Sequence, residues 1–130
     1  MGRGNPPVLR VNVYEIKVVE TFSSAHNLRH YKGKCEALHG HNWKVEAVLR
    51  SKTLGKSGMV MDFGELKNKL KKVLLPLDHT HLNELPAFKK ENPTSENIAR
   101  YIYQKLTRIV GGRLRVSVWE TDTSSASFEK

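Results

Sequence analysis

The order of hydrophobic periods along the chain constrains its fold most strongly. Tyr14, Ile16, Val18 and Phe22 share one parity, with Glu15 and Lys17 on the other, which is the two-residue repeat of a half-buried strand. Trp43, Val45, Ala47 and Leu49 repeat it against Lys44, Glu46 and Arg50. Two stripes of helical period follow: Phe63, Leu66, Leu70, Val73 and Leu74, then Ile98, Ile102, Leu106 and Ile109. Leu114, Val116 and Val118 return to alternation, and a short strand is expected near Ser127. The order is β-β-α-α-β-β. Strands joined by short links pair antiparallel, and helices grouped in the middle argue for an α+β domain over a βαβ repeat.

The boundaries carry their own chemistry. Asp62 is placed to cap the first helix, with Glu65 three residues on in capping-box position, and Pro76 ends it. Pro93 with Thr94 or Ser95 opens the second helix, and Gly111-Gly112 closes it. Residues 27–38 read as a basic, polar loop. Residues 77–93 form a connection longer than compact domains usually need, a hint of function. Gly2, Gly4, Pro6 and Pro7 predict a flexible segment over residues 1–11, leaving 12–130 as a single domain.

A chain of 130 residues can bury roughly two thirds of its unfolded surface, so a core without disulfides is feasible. Cys35 is the only cysteine, and no intrachain disulfide is possible. No apolar run approaches the ~20 residues of a spanning helix. The first residues lack the apolar centre of a secretory signal, and Pro6 stands where a myristoylation site wants Ser or Thr. A cytoplasmic protein is expected. The formal charge of +9 favours anionic partners: nucleic acid, anionic lipid or phosphorylated metabolites.

His39 and His41 have the parity of Trp43, so both imidazoles leave one face at the start of a strand. Residues two apart on a strand are ~6.8 Å apart at Cα, and two imidazoles can lean from there onto one ion. Gly40 between them removes bulk from the opposite face. His26 has the parity of Val18 and Phe22 at the end of the first strand, so a hairpin brings all three imidazoles together. Three histidine ligands leave a fourth position open, as catalytic zinc sites do. Zinc suits imidazole, though nickel, copper and iron bind it too.

Cys35, four residues before His39, has three readings. It is an inert thiol, the fourth ligand of a closed zinc site, or a thiolate activated by nearby Lys32 and Lys34. Asp78 beside His79 could fix that imidazole's tautomer for acid–base chemistry, or simply be a solvated loop. His81 gives a rival His-x-His with His79, without strand geometry. Glu120 continues the parity of Leu114, Val116 and Val118. A carboxylate on that side needs a partner, for instance a ring with two parallel N–H donors; the alternative is a strand-end Glu that reaches solvent.

Six motifs together carry a family resemblance. They are Phe22-Ser23-Ser24-Ala25-His26, Cys35-Glu36-Ala37-Leu38-His39-Gly40-His41, Met61-Asp62-Phe63, Leu77-Asp78-His79, Pro93-Thr94-Ser95-Glu96-Asn97 and Glu120-Thr121. The sequence resembles the 6-pyruvoyltetrahydropterin synthase / 6-carboxytetrahydropterin synthase family. The resemblance implies that His26, His39 and His41 bind zinc, that Cys35 is catalytic, and that Asp78 and His79 transfer protons. It implies that Glu120 anchors a pterin ring in a pocket lined by Thr94 and Ser95. It implies the tunnelling fold: a four-stranded antiparallel sheet with two helices on one face. Oligomerisation then joins sheets into barrels, usually as a homohexamer of two trimers with sites at subunit interfaces.

The three residues between Cys35 and His39 resemble the 6-carboxy type, which feeds deazapurine (queuosine- or archaeosine-type) tRNA modification. The 6-pyruvoyl type usually has a longer insert. A folate-serving branch places glutamate where the cysteine stands, and Cys35 argues against it. The substrate implied is 7,8-dihydroneopterin 3′-triphosphate, a small molecule; neither a membrane nor direct nucleic-acid contact is expected. The rival from another class, a basic zinc-binding nucleic-acid module, lacks paired cysteines and a stacking series of aromatics.

Overall fold

The computed structural model describes residues 12–130, and the expectation for residues 1–11 lies outside them. Strand β1 (Tyr14–His26) pairs antiparallel with β2 (His39–Ser51) in an unbroken register from Tyr14 opposite Ser51 to His26 opposite His39. Helix α1 (Phe63–Leu74) follows, then a two-residue strand β3 (Thr80–His81), helix α2 (Ser95–Val110), β4 (Arg113–Thr121) and β5 (Ser124–Glu129). The sheet order is β3-β1-β2-β4-β5. The expected four antiparallel strands are present, and β3 adds a short parallel edge beside Ser24 and Ala25.

Both helices start where their caps dictate. Asp62 Oδ1 accepts the backbone N–H of Glu65 at 3.0 Å, and Thr94 Oγ1 accepts that of Asn97 at 3.1 Å. At the far end of α2, Gly111 adopts φ +68°, a conformation a side chain would strain. The helices cover the sheet face that carries Val18, Phe22, Trp43, Val45, Ala47, Leu49, Val116 and Val118, and these bury with Leu66, Leu70, Ile98, Ile102 and Leu106 into one core.

Two stripe residues do not join it. Phe63 is 61% exposed, because it stands in the first turn of α1 and lines a groove with Tyr14, Leu54 and Met59 at the rim of the sheet. Ile109 is also exposed. The buried row steps by four from Ile98 to Ile102 to Leu106, and its next member is Val110, packed on the core. The connection 77–93 is broken into short 3-10 turns at 82–84 and 86–88 around β3. No helix among the described residues is long and apolar enough to cross a membrane.

Candidate metal centre

Strand register alone delivers the histidines. His26 is opposite His39 in the β1–β2 pair, and His41 lies two residues further along β2. Their ring centroids are 4.7 Å (His26–His39), 5.2 Å (His26–His41) and 4.8 Å (His39–His41) apart. Trp43, fully buried, supports them from below, with its ring 4.9 Å from His26 and 5.2 Å from His41. Its Nε1 donates to the Ser24 carbonyl at 3.3 Å.

Two of the imidazoles are oriented by backbone carbonyls. His26 Nδ1 is 2.8 Å from the Pro93 oxygen, and His39 Nδ1 is 2.9 Å from the Ala37 oxygen. A carbonyl only accepts, so Nδ1 carries the proton in each ring and Nε2 is left with its lone pair. Such carbonyl partners orient metal-binding imidazoles in general. The Nε2 atoms of His26 and His41 are sealed from solvent and have no hydrogen-bond partner among the described residues. Glu120 Oε1 lies 2.9 Å from His41 Nε2 and 3.4 Å from His26 Nε2, without hydrogen-bond alignment to either.

One donor atom from each of His26, His39, His41 and Glu120 lies within 4.8 Å of the others. Two bonds of ~2.1 Å span at most about 4.2 Å, so side-chain shifts of a fraction of an ångström close the set on one ion. The orphaned, buried nitrogens fit a divalent cation. Burial, with like charge from His26 and His39, pushes the His41 pKa below its ordinary 6.5 despite the pull of Glu120 and Glu36. A neutral imidazole is the form a metal needs.

Glu120 is therefore placed differently from a carboxylate pointing into an apolar interior. Its side chain is partly exposed and reaches toward the imidazoles as a possible fourth donor. It also lines a cavity of about 370 Å³ with Ser95, Glu96 and Ser124 to Ser127. Ser95 thus opens onto the same space as Glu120, whereas the Thr94 hydroxyl is engaged as the α2 cap.

Cys35 is exposed, in the loop between β1 and β2. The base of that loop is fixed by Glu36, whose backbone N–H donates to the Leu28 carbonyl at 2.9 Å and whose carbonyl accepts from Asn27 Nδ2 at 3.2 Å. Its carboxylate accepts the Leu28 N–H at 3.3 Å and lies 3.7 Å from His39 Nδ1. No sequence signal marked this clamp, nor the Pro93 carbonyl on His26, because both join residues whose proximity only the folded chain creates.

Asp78 and His79 do pair, with Oδ2 to Nδ1 at 3.0 Å. Asp78 Oδ1 accepts the Ser23 N–H at 2.9 Å, and His79 N–H donates to the Ser23 carbonyl at 2.6 Å. The Ser23 hydrogen bond, aided by His79, holds the Asp78 carboxyl below its ordinary 3.8. His79 has φ +53° and lines a pocket with Ser23, Ser24, Ala25, Gly40, His41 and Asn42. Those residues come from both faces, so the pair sits at the β1 edge of the sheet, just before β3, and Gly40 adds no side chain to that pocket. The rival pair does not form a site: His81 turns to Asn27 and Glu84, each at 3.5 Å.

Known proteins supply the context for this arrangement. The family model described as 6-pyruvoyl tetrahydropterin synthase matches residues 15–130. A Synechocystis protein named 6-carboxy-5,6,7,8-tetrahydropterin synthase is 43% identical over 114 residues, covering 83% of this chain and 87% of the relative. A Poecilia reticulata protein named 6-pyruvoyl tetrahydrobiopterin synthase is 35% identical over 135 residues, covering 92% and 90%. The solved Caenorhabditis elegans 6-pyruvoyl tetrahydropterin synthase superposes with a TM-score of 0.78 at 27% identity, over 95% of this chain and 99% of that one.

Proposed function

The chain belongs to the 6-pyruvoyl tetrahydropterin synthase family, and on that premise we propose that it is a zinc-dependent 6-carboxy-5,6,7,8-tetrahydropterin synthase. It would convert 7,8-dihydroneopterin 3′-triphosphate to 6-carboxytetrahydropterin with release of triphosphate and acetaldehyde, supplying deazapurine tRNA-modification precursors in the cytoplasm. The observation that carries the reading is the convergence of the His26, His39, His41 and Glu120 donors beside a cavity lined by Ser95.

His26, His39 and His41 would hold the ion. Zinc there supplies a Lewis acid that polarises hydroxyl oxygens of the substrate side chain. Glu120, within reach of both the imidazoles and the cavity, swings to accept two ring N–H groups, a bidentate contact that fixes the ring's orientation. Ser95 lines the ring's pocket, and Thr94 holds the turn that presents it. Cys35 as thiolate takes a carbon-bound proton next to the ring. His79, oriented and charge-stabilised by Asp78, gives or relays the second proton.

Asp78 and His79 sit at the β1 edge of the sheet, and in this proposal they serve a site whose metal ligands come from another subunit. That fits a homohexamer that joins sheet edges into a barrel, with sites at the interfaces. A second reading, a 6-pyruvoyl product from the same substrate, is favoured by the relative of that name at 35% identity. Incubation of zinc-loaded protein with dihydroneopterin triphosphate, followed by mass analysis, decides between them. Acetaldehyde with the carboxy product is expected. An intact 6-pyruvoyl product selects the second reading, and unreacted substrate rejects both.

A further inference from the structure

The loop between β1 and β2 carries several basic groups beside Cys35. Its base is closed by the Leu28–Glu36 clamp, and its tip is a tight turn in which Lys34 N–H donates to the Tyr31 carbonyl at 3.2 Å. Arg29 fastens the loop to the segment before α2. Its guanidinium donates to the carbonyls of Phe88 at 2.6 Å, Asn83 at 3.1 Å and Glu91 at 3.4 Å. Asn92 adds bonds to both backbone groups of Arg29, at 2.9 and 3.1 Å. The finger is thus tied down along its root while Lys32 and Lys34 stand exposed at its end.

Neither lysine has a carboxylate partner among the described residues, whereas Lys17, Lys67, Lys69 and Lys71 are each spoken for by a glutamate. Arg29 itself is answered only by carbonyls. Lys89 and Lys90, exposed beside Phe88, are brought to the same end of the molecule by the Arg29 contacts.

Position along the sheet gives this charge a direction. The serine-lined cavity lies beside β5, Glu120 is on β4, His39 and His41 are on β2, and His26 is on β1. The finger leaves from His26 and returns to His39. A ligand with its ring at Glu120 and its side chain over the imidazoles therefore lies beside the root of the finger, which joins His26 to His39. We propose that Lys32 and Lys34 form the receiving subsite for the polyphosphate tail of the substrate. This rests on the pterin triphosphate reading for the identity of the tail, though not for the existence of a polyphosphate site. A flexible pair of ammonium groups on a fixed stalk suits a tail that must be released after elimination, since exposed contacts of this kind are modest and screened by salt.

The test compares Lys32→Gln/Lys34→Gln with a control, Lys52→Gln/Lys56→Gln, which removes the same charge in the turn at the opposite end of the β1–β2 hairpin. Glutamine keeps chain length. Inorganic tripolyphosphate is titrated into each protein calorimetrically, and 7,8-dihydroneopterin, which has no phosphate, is titrated separately. The finger variant is expected to bind tripolyphosphate at least tenfold more weakly with a shallower salt dependence, while the control and the wild type agree. All three should bind dihydroneopterin alike. On the triphosphate substrate, KM rises at least tenfold. Equal tripolyphosphate binding by the finger variant and wild type overturns the proposal, as does an equal loss in the control. Failure of the wild type to turn over the pterin triphosphate would instead count against the reaction, while the tripolyphosphate difference still decides the subsite.

Discussion

A histidine ring has two nitrogens, and the fold commits one of them on His26 and one on His39 to a carbonyl. What remains is a set of lone pairs facing one another beside a single carboxylate, an arrangement costly to leave without a cation. Cys35 contributes nothing to that set of donors. Cys35→Ala should therefore leave zinc content near one per chain, measured by elemental analysis, while turnover drops by at least a hundredfold. Loss of zinc together with activity would make the thiolate a fourth ligand instead.

Asp78 allows a second residue-level test. Its carboxyl is held below the ordinary 3.8 by the Ser23 N–H and by His79. As acid is added, the unfolded chain takes up this proton before the folded one does, so the stabilisation is complete above about pH 5 and is lost as pH falls through the folded-state pKa. Asp78→Asn keeps the acceptor for Ser23 and removes the charge. Melting curves should show the wild type more stable at pH 6, with the difference closing as pH falls below the ordinary 3.8. A gap independent of pH would mean that the charge plays no part. The three histidines were legible in the sequence because strand parity fixes which face a side chain leaves. The position of Asp78 and His79 at the edge of β1 was not, since it depends on how a long connection returns there.

Elements with a strong period are legible in the sequence, and those held by distant contacts are not. β1, β2 and β4 announced themselves by alternation, and α1 and α2 by apolar stripes with a cap in front. β3 has two residues and exists only because the chain after Asp78 runs beside Ser24 and Ala25. No local pattern encodes that. The stripe of α2 was misread at one position, since a four-residue step leads to Val110 where a three-residue step gives Ile109. The N-terminus of α2 also joins structure to function. Thr94 caps the helix, and the Pro93 carbonyl just before it holds His26. Thr94→Ala should cost about 1 kcal/mol in urea unfolding and weaken zinc binding through His26. The KM for the pterin substrate should change little. If KM rises severalfold with stability and metal affinity intact, the hydroxyl touches substrate and its capping role is secondary.

At the scale of the molecule, both edges of the sheet are open among the described residues. β3 covers β1 only at Ser24 and Ala25, leaving Tyr14 to Phe22 without a strand neighbour on that side among the described residues, and β5 is the other edge. Long unpaired edges invite association unless they are blunted, and joining them edge to edge closes a barrel. Asp78 and His79 sit at the open β1 edge, where edge-to-edge assembly would bring them to a neighbouring subunit. If neighbouring subunits complete each other's sites, Cys35→Ala and His79→Ala damage different halves of the machinery. Each homogeneous variant should be nearly inactive. Unfolded together in equal amounts and refolded, they should assemble at random. A site then draws an intact Cys35 half the time and an intact His79 half the time, so about a quarter of wild-type activity should return. Mixtures that stay as inactive as their parents, although sedimentation shows mixed oligomers, would place Cys35 and His79 of one and the same subunit in each site.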